Sequence, residues 1–448
     1  MMDAERLMCP EDGGAMRIAL LGNMNNGNFA MLRYFRDLGV QADLLQFADD
    51  GVGSLAHFSP ECDTWSMEKW APYIKRISAP NRFVSIIGND FPWSLLFWGK
   101  YLLSMRNRTW GNKFSRPIDL KHIRSELAGY DRIVGSGVAP ALMNSAGIAL
   151  DVYYPYSSGV EWVGDPDLLT DMKSPSLLKR MGAERVRKNQ IAGIQRARRV
   201  VSSDVGYTEK VFEGMGVVPT NLPLPMVYRE SPPAELPEHV SKIINAISKY
   251  DFKLISHARH RWVNSGDHDE EAWESRYSKH NNWIITAYAK FKERHPSLRS
   301  ILILSEYGTD VPYSKSLCRD LGLDTDVMWI PKMPKMEIME IISACDVGIG
   351  EFYSMPKMTW GGTALEVMVC GKPLIQGFIF ASGEYEAIYG HPPPPLCATD
   401  SEEALANWIE LLATDIVLRK ELGSKCFDWF NTYSGIGLAR QWLKMIVA

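Results

Sequence analysis

The chain has 448 residues, 46% of them hydrophobic and 23% charged, with a net charge of −4 at neutral pH. That length exceeds one ordinary core and suits two domains of about two hundred residues each, and the charge gives no global reason to bind nucleic acid. Seven scattered cysteines, odd in number and without CxxC spacing, argue against a disulfide framework or zinc site and fit a reducing cytoplasm. Residues 1–15 read as a flexible extension, and no N-terminal signal sequence is visible. RIALLGN over 17–23 predicts an apolar strand, followed by a loop holding Asn23, Asn25, Asn26, Gly27 and Asn28. A helix follows, with Phe29, Leu32, Phe35 and Leu38 on one side and Gly39 as its stop, and an alternating strand starts at Gln41. This order predicts a parallel sheet with ligands beyond its strand C-termini. Residues 92–124 carry seven basic residues against one acid, Asp119, interleaved with Trp93, Phe97, Trp98, Tyr101 and Trp110. The longest apolar stretch, 91–105, is broken by Lys100 and is too short to span a bilayer. Cations mixed with aromatics suit an anionic membrane surface; core aromatics under a solvated charged face are the competing reading. Further strands are expected over 132–134, 152–156 and 200–203.

LPLPM at 222–226, then ESPPAELPE, reads as an interdomain connection. The expected domains are 16–228 and 229–429, with the C-terminal helix, 430–448, returning to complete the first. A second strand–helix series predicts strands over 253–256, 300–304, 327–330, 347–349 and 374–375. Helices are expected over 282–294, 314–321 and 335–344. The run from Pro392 to Pro395 is a rigid loop before two closing helices, the last of them amphipathic over 436–447.

The chemistry concentrates in DVGIGEFYSMPKMTWGGTALEVMVCGKPLI, residues 346–375. A strand runs into a loop carrying Glu351, and the turn Gly361-Gly362-Thr363 opens a short helix with Glu366 expected on its first turn. A glycine-rich turn feeding a helix N-terminus offers unpaired N–H groups to an anion. A carboxylate one turn inside can accept from two vicinal hydroxyls, and phosphate plus diol describes a nucleotide sugar. Thr363-x-x-Glu366 is equally a capping box, in which both residues only satisfy backbone donors. Arg259 and Arg261, after the strand that opens the second series, and Lys279, ahead of Asn281 and Asn282, are cations able to stabilise a departing diphosphate.

From about residue 250 to 400 these features resemble the retaining glycosyltransferases of family four (glycosyl transferases group one), whose donor signature reads approximately E-F-G-x-x-x-x-E-A-x-A-x-G-x-P. Glu366, Gly371, Pro373 and the following strand match it. The first acid departs, because fourteen residues stand between Glu351 and Glu366, more than separate the two glutamates of the family signature. The resemblance implies an α/β fold of two Rossmann-like doubly wound domains facing across a cleft, the GT-B architecture. It implies Arg259 and Lys279 on the diphosphate with Arg261 as alternate, Glu351 at the transferred sugar and Glu366 on the ribose. Thr363 and its neighbours would supply backbone donors, and backbone at Trp329, Ile330 and Pro331 would hold the base. The first-domain loop with Gly22 and Asn23 would lie near the donor phosphates. YPYSSGVEW, from Tyr153, resembles a first-domain phrase whose aspartate is here Glu161. VGSGVAP, 134–140, lacks the family's frequent first-domain histidine. No Asp-x-Asp motif is present, so no essential metal and no cofactor beyond the donor is expected.

The implied function is metal-independent, retaining transfer of a sugar to a glycan or lipid-linked acceptor, in cell-surface polysaccharide or glycolipid assembly. The implied place is the cytoplasm, peripheral on the inner membrane, with Trp93, Trp98, Arg106, Arg108 and Trp110 as the docking surface. A nucleotide-sugar epimerase and a non-catalytic nucleotide-binding partner stay open as alternatives.

Overall fold

A computed structural model describes residues 16–47, 59–77, 120–155, 160–164, 177–202, 207–263, 278–352 and 361–448. The chain divides into two compact units. One runs to Glu61, resumes over Ser66–Met226 and adds Ala439–Ala448; the other comprises Cys62–Trp65 and Val227–Leu438. The expectations for residues 1–15, and for Trp93, Trp98, Arg106, Arg108 and Trp110, fall outside the described residues.

The first unit holds a seven-stranded sheet of β1 (Arg17–Leu21), β2 (Gln41–Phe47), β3 (Ile74–Ile77), β4 (Arg132–Ser136), β5 (Val152–Tyr154), β6 (Arg199–Ser202) and β7 (Thr220–Asn221). Their order is β3-β2-β1-β4-β5-β6-β7, and every paired neighbour is parallel. Ile18 to Leu21 are wholly buried, as a central strand covered on both faces requires. Helix Leu177–Arg196 packs on helix Ala139–Ala146, and the two approach so closely at Gly193 that a Cβ there would run into the Pro140 carbonyl. Gln190, fully buried, accepts at 2.9 Å from the Ala141 amide and so caps the neighbouring helix. Helix Ile436–Val447 buries Trp442, whose indole donates to the Pro223 carbonyl at 2.7 Å and meets the edge of Tyr154. Arg132, Arg198 and Arg199 donate to the carbonyls of Ile446, Ala448 and Met445, placing positive charge at the negative end of that helix.

The second unit holds a six-stranded parallel sheet of β8 (Phe252–Ser256), β9 (Ser300–Ser305), β10 (Val327–Ile330), β11 (Val347–Ile349), β12 (Leu374–Gly377) and β13 (Cys397–Thr399). The order is β10-β9-β8-β11-β12-β13, with Leu254 opposite Val347 where the winding reverses. Its core joins Leu254, Leu302 and Ile375 of the sheet to Tyr288 and Phe291 of helix Asn281–Arg294 and Leu405, Ile409 and Leu412 of helix Glu402–Thr414. The segment 62–65 docks here. Asp63, wholly buried, takes an ion pair from Lys335 at 3.0 Å, and Thr64 donates to Glu230 at 2.9 Å.

Three details differ from the expectations. A short strand, β13, follows the proline run, and three helices close the chain: Glu402–Thr414, Ile416–Tyr433 and Ile436–Val447. Asp415 parts the first two as C-cap of one and N-cap of the next, accepting from the Leu418 amide, and Ser401 caps the start of the first by accepting from the Ala404 amide. Helix Gly362–Val369 begins at Gly362 with Gly361 as N-cap, which moves Glu366 off the first turn.

Candidate functional site

In an open parallel sheet the crevice lies where winding reverses, beyond the carboxyl ends of the strands. In the second unit that is the gap between β8 and β11. His257 leaves the end of β8, Glu351 lies two residues past β11, and helix Gly362–Val369 starts beside them. Glu366, 7% exposed, sets Oε2 at 2.6 Å from His257 Nε2, while its Oε1 has no partner among the described residues. Burial pushes its carboxyl up. The hydrogen bond and field of His257, with Lys335 further off, outweigh that and hold it below the ordinary value.

No capping box forms. Gly361, in extended conformation, is the N-cap without a side-chain bond, and the Thr363 hydroxyl is buried with no partner. Ala364 N bonds back to Gly361 O at 3.2 Å, whereas the amides of Gly362 and Thr363 have no acceptor among the described residues. The two glycines sit between the two acids. A Cβ on Gly361 would lie 3.3 Å from Glu351 Oε2, and one on Gly362 would lie 3.4 Å from Glu366 Oε1. The fourteen-residue spacing between the acids therefore does not separate their side chains.

Glu351 is 4% exposed and ion-paired with Lys279. Its amide donates to Gln376 Oε1 at 2.9 Å, and its carbonyl accepts from Gly377. Lys279 N donates to the Arg261 carbonyl at 2.7 Å, and Arg261 N to Asn281 Oδ1 at 2.9 Å, so these residues are tied through backbone. Asp310 fixes the preceding loop by accepting from the amides of Trp262 and Val263 at 2.6 and 2.8 Å. Arg259 is exposed and makes no ion pair among the described residues. Its neighbour His260 is 1% exposed, bonded to Ser314 Oγ at 2.8 Å, and stands 5.4 Å from the Trp329 ring. Burial lowers its pKa to about 4, only partly opposed by Asp310. Ile330 O accepts from Glu306 N at 2.7 Å, and Pro331 is exposed.

Gly22 and Asn23 stand at the corresponding reversal of the first sheet, between β1 and β4. Asn23 accepts from Phe29 N at 3.0 Å and donates to Asn26 at 2.7 Å. Asn26 donates to Ser59 O, and Asn28 donates to Leu21 and Gly22 carbonyls and accepts from Tyr154. Tyr153, in the phrase carrying Glu161, bonds the Gly137 carbonyl at 3.1 Å.

His257 and Gln376 went unassigned in the sequence. Each had a signal: a histidine directly after an apolar strand, and a glutamine inside one, LIQG. Among the described residues, no group of acids, histidines and cysteines could hold a metal ion, and no helix is long and apolar enough to cross a membrane.

No protein-family model matches the sequence, and no curated protein does. Solved structures do. HepE of Anabaena, in complex with UDP and glucose, is 15% identical over 96% of this chain and 98% of its own, with a TM-score of 0.54. A TarM variant of S. aureus, in complex with fondaparinux, alpha-GlcNAc-glycerol and UDP, is 11% identical over 97% and 100% (TM-score 0.52). A glycosyltransferase from Rickettsia africae is 14% identical over 96% and 97% (TM-score 0.50). The chain has the GT-B glycosyltransferase fold, two Rossmann-like α/β units.

Proposed function

We propose that the protein is a glycosyltransferase that binds a nucleoside diphospho-sugar on its second unit and passes the sugar to a glycan or lipid-linked acceptor. The observation that carries this reading is the unused hydrogen-bonding capacity at one sheet reversal. The free amides of Gly362 and Thr363 suit a phosphate at a helix N-terminus, and the open oxygen of Glu366 suits the ribose diol. Arg259 and Lys279 are the cations assigned to the diphosphate, with Arg261 the alternate. Lys279 is held by Glu351 here, so the diphosphate would share that cation with the carboxylate, which we assign to the transferred sugar. Trp329, Ile330 and Pro331 are assigned to the base, and Gly22 and Asn23 to the donor phosphates. HepE and TarM, both solved with UDP, make uridine diphosphate the first nucleotide to try.

The proposed step retains anomeric configuration. The bond from the anomeric carbon to the β-phosphate oxygen breaks, the acceptor oxygen bonds to that carbon on the same face, and the acceptor proton passes to the departing phosphate. Cations and backbone donors stabilise the charge that develops there, so turnover is expected to persist in EDTA. The test is turnover of a nucleotide-sugar panel with and without acceptor oligosaccharides or lipids. Transfer that needs an acceptor supports the reading, epimerised donor without acceptor replaces it with an epimerase, and no binding of any nucleotide overturns it. Residues 92–124 we assign, on composition alone, to an anionic membrane surface. Cosedimentation with anionic vesicles, weakened by salt and by charge reversal at Arg106 and Arg108, checks that assignment.

A further inference from the structure

His257 lies buried against Glu366 and has no part in the transfer step described above. We propose that His257 is a positioning residue for nucleotide recognition: by occupying one oxygen of Glu366, it turns the other toward the ribose diol. This rests on the donor-site reading above and deepens it.

The geometry carries the argument. At 2.6 Å the His257–Glu366 contact is a charge-assisted hydrogen bond. An ionised carboxylate only accepts, so Nε2 carries the proton. His257 is the only hydrogen-bond partner of the Glu366 carboxylate among the described residues, since the next cation, Lys335, is paired with Asp63 at 3.0 Å. Both side chains are more than nine-tenths buried, so the bond is not competed away by water. The imidazole has no other engagement, for its Nδ1 is buried without a partner. A buried nitrogen without a partner is a cost to the fold, and that cost is tolerated here by a ring whose single bond goes to the acid. Gly362 completes the arrangement, because the absence of a side chain leaves space on the Oε1 side.

Remove the imidazole and the carboxylate loses the donor that fixes its rotamer. It also loses the hydrogen bond and field that oppose burial, so its hold on a proton strengthens and the oxygen turned toward the diol becomes a poorer acceptor.

The test is calorimetric titration of the full chain with uridine, guanosine and adenosine diphosphates, each against its 2′-deoxy counterpart. Wild type should prefer the ribose form of its nucleotide by about tenfold or more, the scale of one hydrogen bond to a charged group. His257→Leu should lose most of that preference while its affinity for the 2′-deoxy form stays near wild type. His257→Gln should recover it, because the glutamine amide reaches the place of Nε2. His257→Asn, polar but one atom too short, should not, and it serves if the leucine variant fails to fold. A folded leucine or asparagine variant that keeps the wild-type preference overturns the assignment of His257 alone. Wild-type protein that binds both forms equally, or Glu366→Ala that binds as wild type does, overturns the donor-site reading and this inference with it.

Discussion

The two sheet reversals occupy the same topological position in their units, yet their polar groups are used in opposite ways. Between β1 and β4, Asn23, Asn26, Asn28, Ser136 and Tyr154 bond one another and the nearby backbone. Between β8 and β11, the Thr363 hydroxyl, His257 Nδ1, two helix amides and Glu366 Oε1 have no partner among the described residues. Buried polar groups are normally satisfied, so the unpartnered set is the one we assign to a ligand, while the side chains of the first set hold their own loop in place. An asparagine-rich loop and an acid in a glycine turn look equally functional in sequence. Only hydrogen-bond occupancy separates them.

The largest expected effect lies in the satisfied loop. Asn28→Ala removes bonds to Leu21 O, Gly22 O and Tyr154 Oη from a wholly buried position. Losing three hydrogen bonds from that buried site, with Leu21 O still held by Ser136 Oγ, should cost about 3–5 kcal/mol of stability, read by urea denaturation, with the nucleotide affinity of the folded protein unchanged. A stable variant that binds nucleotide poorly would break the comparison.

Next comes a pH effect in the second unit. His260 titrates near 6.5 when unfolded and near 4 in the fold, because burial disfavours its charged form. The folded state therefore holds fewer protons between those values. Its contribution is intact above about pH 6.5, falls as pH drops toward 4, and levels off at a loss of about 3 kcal/mol. Carboxylates titrate in part of this range, so the readout is the difference between wild type and His260→Gln. That difference should shrink steadily from pH 7 to pH 4, and a difference independent of pH would count against the assignment.

Much of this was legible beforehand. Strands 327–330 and 347–349 and helix 335–344 stand where the apolar runs put them, since parallel strands covered on both faces read as continuous hydrophobic stretches. β13 was missed because Cys397–Thr399 is three residues with alternate exposure, below what periodicity can mark. The Thr363-x-x-Glu366 pattern left two meanings open, since a capping box and a ligand-facing acid have the same spelling. What decided against the box was the extra turn residue Gly361 and the capture of Glu366 by His257, a partner 109 residues away. Sequence spacing also makes Glu351 look remote, because the number of residues between two positions does not fix the distance between their side chains, and a Cβ on Gly361 would lie 3.3 Å from Glu351 Oε2.

Glu366→Ala is the third test. If its free oxygen meets the ribose, nucleotide affinity should fall about 10–100-fold, corresponding to about 1.5–3 kcal/mol. Stability should change less, since the alanine removes the acid and leaves only His257 without its bond. Unchanged affinity with lowered stability would move Glu366 to the scaffold side of the comparison.

The smallest effects come from matched glycines, one at each reversal, and their signs should oppose. Gly22 has φ +81°, and a Cβ there would lie 2.8 Å from Ser136 Oγ, the hydroxyl that bonds Leu21 O. Gly22→Ala should therefore cost about 1–2 kcal/mol of stability from left-handed strain alone. Gly362 opens a helix at ordinary φ, where alanine reduces the freedom of the unfolded chain and should stabilise by about 0.4–1 kcal/mol. Its new methyl, however, would stand 3.4 Å from Glu366 Oε1, in the space left for a hydroxyl. Gly362→Ala should thus melt higher yet bind the nucleotide about threefold to tenfold more weakly, a loss on the order of one weak hydrogen bond. Paired melting curves and titrations read both signs. If Gly362→Ala gains stability without losing affinity, the diol does not approach along that side of Glu366, and the open face of the acid must be sought toward Lys335.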